Sequence, residues 1–435
     1  MARAKKETAL TPEERLQAAL VPDWEWPYKL PENWCWVYAP HIFDIEYGKG
    51  LPTKQLSDTG YPVFGANGQI GFYSEYMYKE PQALMSCRGA YSGTMNKSLP
   101  YSYVTSNSLI ISSPCGLMGT DCIYYLFSAL NVSELISGTA QPQVTVQAFD
   151  GFPIPLSPLA EQQRIVDRIE SLFAKLDEAK EKAQTVVDSF ETRKAAILHK
   201  AFTGELTAKW REEHGVGMES WEKKSVGELC ISLKYGTAKK SDASGNVVVL
   251  RMGNLQQGEI DWSDLAYSND PDDIEKYKLF PGDVLFNRTN SAALVGKTAI
   301  YRGEHPAIYA GYLIKLDYDH DKIIGDYLNY ALNTLDAKKY CNSVKTDGVN
   351  QSNINAKKIG AYSFNVPSIP EQEKIVSVIQ KLLSKEQQSK EAAEAVLDQI
   401  DLMKKSILAR AFRGELGTND PSEESAVELL KRTIL

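Results

Sequence analysis

Two long stretches of the 435-residue chain carry apolar residues at alternating steps of mostly three and four. The first stretch places them at Ile165, Ile169, Leu172, Leu176, Ala179, Ala183, Val187, Phe190, Ile197 and Ala201. The second places them at Ile375, Ile379, Leu382, Ala393, Leu397, Ile400, Ile407 and Ala411, with Glu386 and Ser389 where the first has Leu176 and Ala179. This heptad spacing predicts two helices of roughly 40 residues, about 60 Å long at 1.5 Å per residue, each with one apolar stripe.

The two stretches are copies of one another. When Ala160–Leu206 is aligned with Pro370–Leu416 without gaps, 20 of 47 positions are identical, and the copies end in AFTGEL and AFRGEL. The same offset of 210 residues pairs the loop GTAQPQV with DGVNQSNI. The repeated unit therefore begins before the helix and includes the loop that precedes it.

Neither helix can bury its apolar stripe alone, so we expect the two to pair within the chain as a coiled coil. The sequence permits a parallel or an antiparallel pair. We favour the antiparallel pair, because it relates the two halves by a pseudo-twofold axis and places the intervening domains at opposite ends. Glu386 is then expected near Phe190 and Lys194, either fixing the register or forming a polar interruption that water tolerates.

The segments between the copies alternate short apolar runs such as VTSNSLIISS and VVVLRMGN with turn residues, which predicts compact strand-rich α+β domains. Beyond a shared opening that contains Trp34 and Gly48 in one and Trp221 and Gly236 in the other, they show little similarity. We divide the chain into six segments: an N-terminal segment (1–29), head 1 (30–157), stalk 1 (158–216), head 2 (217–367), stalk 2 (368–416) and a C-terminal tail (417–435).

Both ends of the chain carry helix-start signals. LTPEER at residues 10–15 resembles LTAKWR at 206–211, so the N-terminal segment is expected to pack beside the end of stalk 2 and complete a circular repeat. Thr11, Pro12 and Glu14 suit the N-cap, N1 and N3 positions of a capping box. Asp420 and Pro421 give a similar signal in the tail, which is either a docking helix or a frayed end.

Composition narrows the functional classes. No apolar run approaches the roughly 18 residues of a membrane helix, and the basic N-terminus lacks the apolar core of a secretory signal, so we expect a cytoplasmic protein. The six cysteines, Cys115 among them, show no metal-ligand spacing and are expected to be reduced. A net charge of −8 argues against a stand-alone nucleic-acid binder, which needs clustered Lys and Arg.

The candidate enzyme motifs fail on spacing. SAALVGKTAI resembles a phosphate-binding P-loop, but Ser291 occupies the position of the first glycine. GYPVFGANGQIGFY has four glycines without the dinucleotide-binding spacing, and tight hairpin turns explain them better. Nucleophile-elbow, zinc-protease and amino-methyltransferase motifs are also missing from the sequence.

The repeated motifs IPLSPLAEQQRIVDRIESL and VPSIPEQEKIVSVIQKL, with their AFTGEL and AFRGEL exits, resemble the conserved regions of specificity subunits of type I restriction-modification systems. The heads, with ALMSCRGAYSGTM and YKLFPGDVLFNRTNSAALVGKTAIY, look like that family's target recognition domains. The resemblance covers nearly the whole chain in the order head, stalk, head, stalk. The start of stalk 2 reads PSIPEQ where the start of stalk 1 reads SPLAEQ, and this difference affects only the local helix start.

The resemblance implies a non-catalytic, cytoplasmic DNA-binding subunit for phage defence, in which each head reads one half of a bipartite asymmetric site. The stalks would set the spacer and dock two adenine methyltransferase subunits, which bind S-adenosylmethionine and perform the DNA methylation. Motor-nuclease subunits would complete the restriction complex. Because acidic side chains outnumber basic ones in head 1 and roughly balance them in head 2, the partners would supply much of the phosphate contact.

Polar and basic side chains in turn-rich segments of the heads are the candidates for DNA contact, since Arg suits guanine and Asn or Gln suits adenine. They are Arg88, Tyr91, Ser92, Thr94, Asn96, Lys97 and Gln141 in head 1, and Arg251, Asn254, Arg288, Thr289, Asn290, Ser291, Lys297 and Gln351 in head 2. Arg88 and Arg288 are the strongest of these. Any of them can instead be an ordinary solvated loop residue.

Two other functional classes stay open from the sequence. One is a structural coiled-coil adaptor whose heads bind proteins, and the other is a self-contained nuclease or methyltransferase, which the missing motifs disfavour. For the DNA-reading interpretation, the fold class expected is α+β: two strand-rich recognition domains alternating with two long helices that pair as an intramolecular antiparallel coiled coil.

Overall fold

A computed structural model describes residues 11–113, 116–349 and 351–434 of the chain, so Cys115 and residues 1–10 of the N-terminal segment lie outside it. The chain divides into two compact units, of which unit 1 contains residues 1–183 and 395–435, and unit 2 contains residues 184–394. Each unit therefore combines one head with parts of both stalk helices. Among the described residues, no helix is both long enough and apolar enough to cross a membrane.

Head 1 is built on a four-stranded antiparallel sheet whose central strands are buried. Its strands, in spatial order, are Asp44–Tyr47, Ser108–Ser112, Ala83–Ser86 and Met95–Lys97. A three-stranded sheet lies in the order Gly68–Tyr73, Tyr61–Gly65 and Tyr103–Val104, with the last pair parallel. The helix Thr120–Ala129 packs on the four-stranded sheet through Ile123, Leu126 and Phe127, which are buried in the core of unit 1.

Head 2 repeats this plan. Its four-stranded sheet has the order Cys230–Tyr235, Leu313–Tyr318, Val284–Asn287 and Thr298–Ile300. Its three-stranded sheet has the order Tyr267–Ser268, Val247–Leu250 and Ala307–Tyr309, again with the last pair parallel. Its helices are Val226–Leu229, Pro271–Tyr277, Gly325–Leu332, Leu335–Val344 and Ala356–Gly360. The sequences and helices of the heads differ, but the strands of these two sheets agree in chain order and in spatial order.

The shared opening of the two heads has a structural cause at its glycines. A Cβ on Gly48 would lie 2.4 Å from the carbonyl oxygen of Thr105, and one on Gly236 would lie 2.1 Å from that of Tyr309. No side chain fits at such separations, so both positions need glycine. The backbone approach is therefore common to both heads even where their other residues diverge.

The predicted stalk helices form, with one difference between the copies. Stalk 2 is a single helix, Ile369–Ala411, whereas stalk 1 is divided into Leu159–Asp188 and Phe190–Phe202. The Oγ of Ser189 donates to the carbonyl of Thr185 at 2.5 Å, and Arg193 donates to the carbonyl of Val186 at 3.1 Å. The Thr185 carbonyl still accepts the backbone amide of Ser189 at 3.1 Å, so these side chains share carbonyls of the helical ladder at the interruption, which the apolar spacing did not predict.

Within each unit the two stalk helices run antiparallel, as predicted. In unit 1 Lys180 pairs with Asp401 at 3.1 Å, and Lys404 pairs with Asp177 at 2.5 Å, so rising numbers on one helix meet falling numbers on the other. In unit 2 the same order appears, since Lys390 lies 5.1 Å from the ring centroid of Phe190 and Glu386 pairs with Arg193. The α+β fold class with an intramolecular antiparallel helix pair is confirmed.

Glu386 forms its ion pair with Arg193 at 2.5 Å, one residue away from the expected Lys194. The Nζ of Lys194 instead donates to the carbonyl of Gln257 at 3.1 Å. Glu386 therefore has a specific partner across the helix pair. Its role in fixing the register stays a prediction.

The ends of the predicted seam are buried in the heads and not only between the helices. Ile165 and Ile169 belong to the core of unit 1, and Ile375 and Ile379 belong to the core of unit 2. Of the middle positions, Leu176 and Ala179 are only partly buried, whereas Ala183 and Ala393 are buried. A short two-stranded pair joins each head to its stalk: Cys35–Tyr38 with Pro153–Leu156, and Glu222–Ser225 with Ser363–Val366. The apolar stripe thus serves two kinds of packing.

Matching glutamates anchor the two helix starts. Glu161 is fully buried and accepts hydrogen bonds from Trp34 at 2.7 Å and Asn419 at 2.9 Å. Glu371, its counterpart 210 residues on, accepts one from Trp221 at 3.0 Å and also faces Arg211. The tryptophans of the shared opening therefore bind the repeated glutamates, which ties each head to a stalk.

The two ends of the chain pack together in unit 1. The helix Pro12–Ala19 begins with the predicted capping box between Thr11 and Glu14. The tail helix, Ala426–Ile434, begins later than the Asp420 signal indicates, because the Asp420 carboxylate accepts from Ser422 instead. Both helices share the core of unit 1, where Leu430 is fully buried.

Candidate nucleic-acid interface

The candidate residues of head 1 follow the end of a buried strand. Ala83–Ser86 leads through Cys87 to Arg88, and a turn at Gly89–Tyr91 returns the chain to Met95–Lys97. Gly89 has φ +79°, a left-handed conformation that favours glycine. Arg88 and Tyr91 are exposed as a result.

The repeated loop lies directly beside this turn. The Oγ of Ser92 donates to the carbonyl of Pro142 at 2.8 Å, and the backbone of Arg88 bridges to Gln143. Gln141 is exposed at the tip of the hairpin formed by Ile136–Ser137 and Gln143–Val144. The structure therefore brings four predicted residues, Arg88, Tyr91, Ser92 and Gln141, to one surface.

Three further candidates of head 1 lie on or beside the returning strand. Lys97 forms an ion pair with Asp121 at 2.7 Å, so its charge is largely compensated. The amide of Asn96 contacts the Oγ of Ser86 at 3.4 Å, and Thr94 is exposed. Of the basic candidates in head 1, Arg88 alone has no carboxylate partner among residues 11–113, 116–349 and 351–434.

Arg288 lies beside the corresponding strand end of head 2, but one register position earlier than Arg88. Asn287 pairs with Leu313 as Ser86 pairs with Ser108, so Arg288 corresponds to Cys87 and Arg88 corresponds to Thr289. It follows the buried strand Val284–Asn287, and the adjoining Thr289–Asn290 pairs with Ser352–Asn353 of the second repeated hairpin. The carbonyl of Arg288 accepts from the amide of Ile354 at 2.8 Å. In both heads an arginine therefore lies between a buried strand end and the repeated hairpin, one register position apart in the two heads, a shared placement that the sequences do not reveal.

The guanidinium of Arg288 is held in place, but only some of its hydrogen-bond donors have partners. One Nη donates to the carbonyl of Gly311 at 3.0 Å, and the guanidinium carbon lies 4.8 Å from the ring centroid of Tyr235. Its Nε is buried and has no partner among the described residues. This positions the group while leaving donors for a ligand.

An open groove of about 670 Å³ surrounds Arg288. Sequence reasoning placed Arg251, Arg288 and Thr289 among the candidates but missed other side chains that line it. The missed residues are Lys239, Lys240, Tyr312 and Asn353. Asn353 lies in the repeated segment DGVNQSNI, so the repeat could have identified it, whereas no local pattern marks the lysines.

Much of the positive charge in the groove is already paired. Lys239 contacts Asp270 at 2.6 Å and Asp273 at 3.4 Å, and Arg251 contacts Asp264 at 2.9 Å. The pKa of Lys239 lies above its usual value, because it donates a hydrogen bond to Asp270. The groove therefore offers positioned donors with little net charge.

The remaining candidates of head 2 do not converge on the groove. Asn254 is 3% exposed, and its side chain bonds the backbone of Arg251, Asp261 and Asp264 at 2.8 to 2.9 Å, so it stabilises a turn. The Oδ1 of Asn290 accepts from the amide of Ser291 at 2.8 Å.

Ser291 and Gln351 are exposed, and the side chain of Lys297 lines a different cavity. Lys297 is opposite Asn287 on the adjacent strand, whereas Arg288 is one residue further on and faces away, because successive side chains alternate across a strand.

Comparison with known proteins agrees with this geometry. Residues 31–186 and 218–396 match the family described as type I restriction modification DNA specificity domain. The StySPI specificity subunit of Salmonella potsdam is 28% identical over 419 residues, covering 89% of this chain and 90% of that protein. The EcoKI specificity subunit of Escherichia coli K12 is 26% identical over 426 residues, covering 89% and 90%.

Solved structures share the fold. A chain from a structure described as the basis of complex assembly and conformational transition of the type I R-M system has a TM-score of 0.66 at 20% identity, covering 90% of this chain and all of that one. The HsdS subunit of Thermoanaerobacter tengcongensis has a TM-score of 0.58 at 20% identity, with the same coverage. Since the family match spans most of the chain in two parts, one for each head and the stalk that follows it, this protein belongs to the type I restriction-modification DNA specificity family.

Proposed function

We propose that the chain is the non-catalytic sequence-reading subunit of a type I restriction-modification complex and that each head reads one half of a bipartite asymmetric DNA site. The observation that carries this proposal is that each copy of the repeated hairpin has an arginine beside it, Arg88 in head 1 and Arg288 in head 2. Arginine is the side chain best suited to bidentate contact with guanine in the major groove. Because the surrounding residues differ between the heads, the two half-sites differ.

The stalks supply the second part of the proposal. Two adenine methyltransferase subunits dock on them and bind the S-adenosylmethionine, and motor-nuclease subunits join for restriction. A paired helix such as Ile369–Ala411 is stiff enough to set a fixed spacer between the half-sites. We infer a cytoplasmic location, since DNA is the ligand. Membership of the DNA specificity family disfavours the adaptor with protein-binding heads.

The distribution of charge assigns base contacts to this chain and most phosphate contacts to its partners. The ion pairs of Lys97, Lys239 and Arg251 leave few free cations on the candidate surfaces, and phosphate contacts supply much of the affinity for DNA. The isolated chain should therefore bind DNA weakly, and the methyltransferase subunits should add most of the phosphate contacts. Full-affinity specific binding by the isolated chain in a gel-shift assay would contradict this division.

The decisive test uses the complex reconstituted with its methyltransferase and sequencing of the methylated adenines. Arg88→Ala should relax one half-site and Arg288→Ala the other, each by about 5- to 150-fold in discrimination, the range for one bidentate base contact. Lys79→Ala, at an exposed position of head 1 away from the hairpin, is the matched control. Size-exclusion chromatography checks that each variant still assembles. Unchanged half-sites in both arginine variants would refute the assignment.

A further inference from the structure

A second cavity lies within unit 2, where the stalk helix Phe190–Phe202 faces head 2. It has a volume of about 440 Å³ and is closed on other sides by residues 293–297 and the helix Leu335–Val344. Its apolar wall includes Leu198 and Val295. The cavity is separate from the groove around Arg288, with which it shares no lining residue.

Three lysines line this cavity: Lys194 on the stalk, Lys297 directly before the strand Thr298–Ile300 and Lys338 on the helix. Glu191 is the only carboxylate in its lining. The lining therefore carries three positive charges against one negative charge. Asn342 and Gln256 add uncharged hydrogen-bonding groups.

Lys194 and Lys297 each donate a hydrogen bond to an uncharged acceptor. The Nζ of Lys194 donates to the carbonyl of Gln257 at 3.1 Å, and the Nζ of Lys297 donates to the Oε1 of Gln256 at 2.8 Å. In the part of the chain that the structure describes, none of the three lysines forms an ion pair. Glu259, the next carboxylate to influence Lys194, is bound to Arg302. Partly buried ammonium groups such as those of Lys194 and Lys297 normally form an ion pair, and here Glu191 lines the cavity and acts on Lys194 without pairing with it.

The backbone of Gln257 and the pKa values of Lys194 and Lys297 also indicate a site for an anion. Gln257 has φ +52°, one of two positive values for non-glycine residues among those described, and it presents its carbonyl to Lys194 from that conformation. Burial lowers the pKa of Lys194 and of Lys297, and the nearby charge of Lys338 lowers both further. Lys194 and Lys297 are therefore held near the like charge of the exposed Lys338 at a cost in solvation that a bound anion would offset.

We propose that this cavity binds a phosphate group through Lys194, Lys297 and Lys338. Phosphate offers several strong acceptor oxygens to three ammonium donors, and charge-assisted hydrogen bonds of this kind are the stronger ones. The group can be a free phosphate, the phosphate of a nucleotide, or a backbone phosphate of DNA. The proposal does not depend on which head residues read bases.

The test measures hydrogen-exchange protection of the purified full chain with inorganic phosphate, compared with chloride at equal ionic strength. Phosphate should protect the segments 190–202, 255–260 and 335–344. Lys338→Gln lies on the surface and does not threaten folding, and it should weaken the apparent Kd for phosphate about tenfold. Lys194→Met should do the same. Lys200→Gln, exposed on the same stalk helix but outside the cavity, is the matched control and should change nothing.

Two further arms distinguish the source of the phosphate. If a duplex without the target site displaces phosphate, and Lys338→Gln lowers the salt dependence of duplex binding by about one phosphate contact, the backbone of DNA is the ligand. If AMP protects the same segments and the duplex does not compete, a free anion or nucleotide is the ligand. Equal protection of the wild type, the lysine variants and the control, or no protection by phosphate or duplex, would overturn the proposal.

Discussion

The buried ion pair at the start of stalk 2 gives a quantitative test of how unit 2 is held together. Arg211 and Glu371 are 2.7 Å apart, and their side chains are 8% and 1% exposed. Water cannot replace either partner at such burial. Removing the partner of a buried charge typically costs about 3–5 kcal/mol.

We expect Arg211→Met to cost about 3 kcal/mol, the lower end of that range. Glu371 keeps two neutral donors, Thr207 at 2.8 Å and Trp221 at 3.0 Å, which partly stabilise the remaining carboxylate. The double variant Arg211→Met with Glu371→Gln should cost only about 1–2 kcal/mol, because no unpaired charge is left and the amide oxygen still accepts from Thr207 or Trp221. The double variant is thus expected to be more stable than the single variant.

The assay is native-state hydrogen exchange over a urea series, read at residues 204–214 and 369–379. Global unfolding is unsuitable because a chain of two compact units need not unfold in one step. Glu373→Gln, exposed two residues beyond Glu371, is the control and should change the local opening free energy by less than about 0.5 kcal/mol. A cost below about 1 kcal/mol for Arg211→Met, or a double variant less stable than the single, would refute the reasoning.

Three other substitutions test separate parts of the molecule. Leu430→Asp places a charge in the core of unit 1 and should lower the local opening free energy by several kcal/mol. Hydrogen exchange of residues 12–19 measures this free energy. An unchanged free energy would mean that the tail helix does not pack there. Glu386→Leu removes the carboxylate that binds Arg193 and should shift the register of the stalk helix pair. Pulsed EPR between spin labels on exposed positions of the two helices measures the register. An unchanged register would show that Glu386 does not fix it. Lys194→Met should stabilise unit 2 in phosphate-free buffer at neutral pH, measured by exchange of residues 190–202, because the charged form is disfavoured by burial in the folded state. Since its folded pKa lies below the unfolded one, this penalty is fully present below the folded pKa and fades as the pH rises towards the unfolded value; a lower stability of the variant at neutral pH would contradict it.

Local patterns were sufficient for the helices and for their repetition. The apolar spacing predicts both stalks, because a helix repeats its faces every 3.6 residues whatever its surroundings. The capping box at Thr11 was equally readable, since its hydrogen bonds join residues three apart. The interruption at Ser189 was not, because the apolar spacing says nothing of the hydrogen bonds that Ser189 and Arg193 donate to particular backbone carbonyls.

The sequence predicted only part of the candidate site. Arg88 and Arg288 were singled out as basic residues in turn-rich segments, but their location beside the repeated hairpins emerges from strands and hairpins paired over long distances in the chain. Nothing local distinguishes Arg288, which reaches the groove, from Asn254, whose amide is consumed by backbone groups several residues away. Lysines such as Lys240 join the groove only because separate loops meet there.

The sequence by itself therefore determined the two amphipathic helices, their kinship and the alternation of heads with stalks, since each is written in local periodicity or in direct repetition. The tertiary structure decided the antiparallel direction of the helix pair, the common topology of two dissimilar heads and the choice of which polar side chains remain available. Those properties depend on contacts between residues far apart in the chain, where strand pairing and burial select among side chains that look alike in sequence.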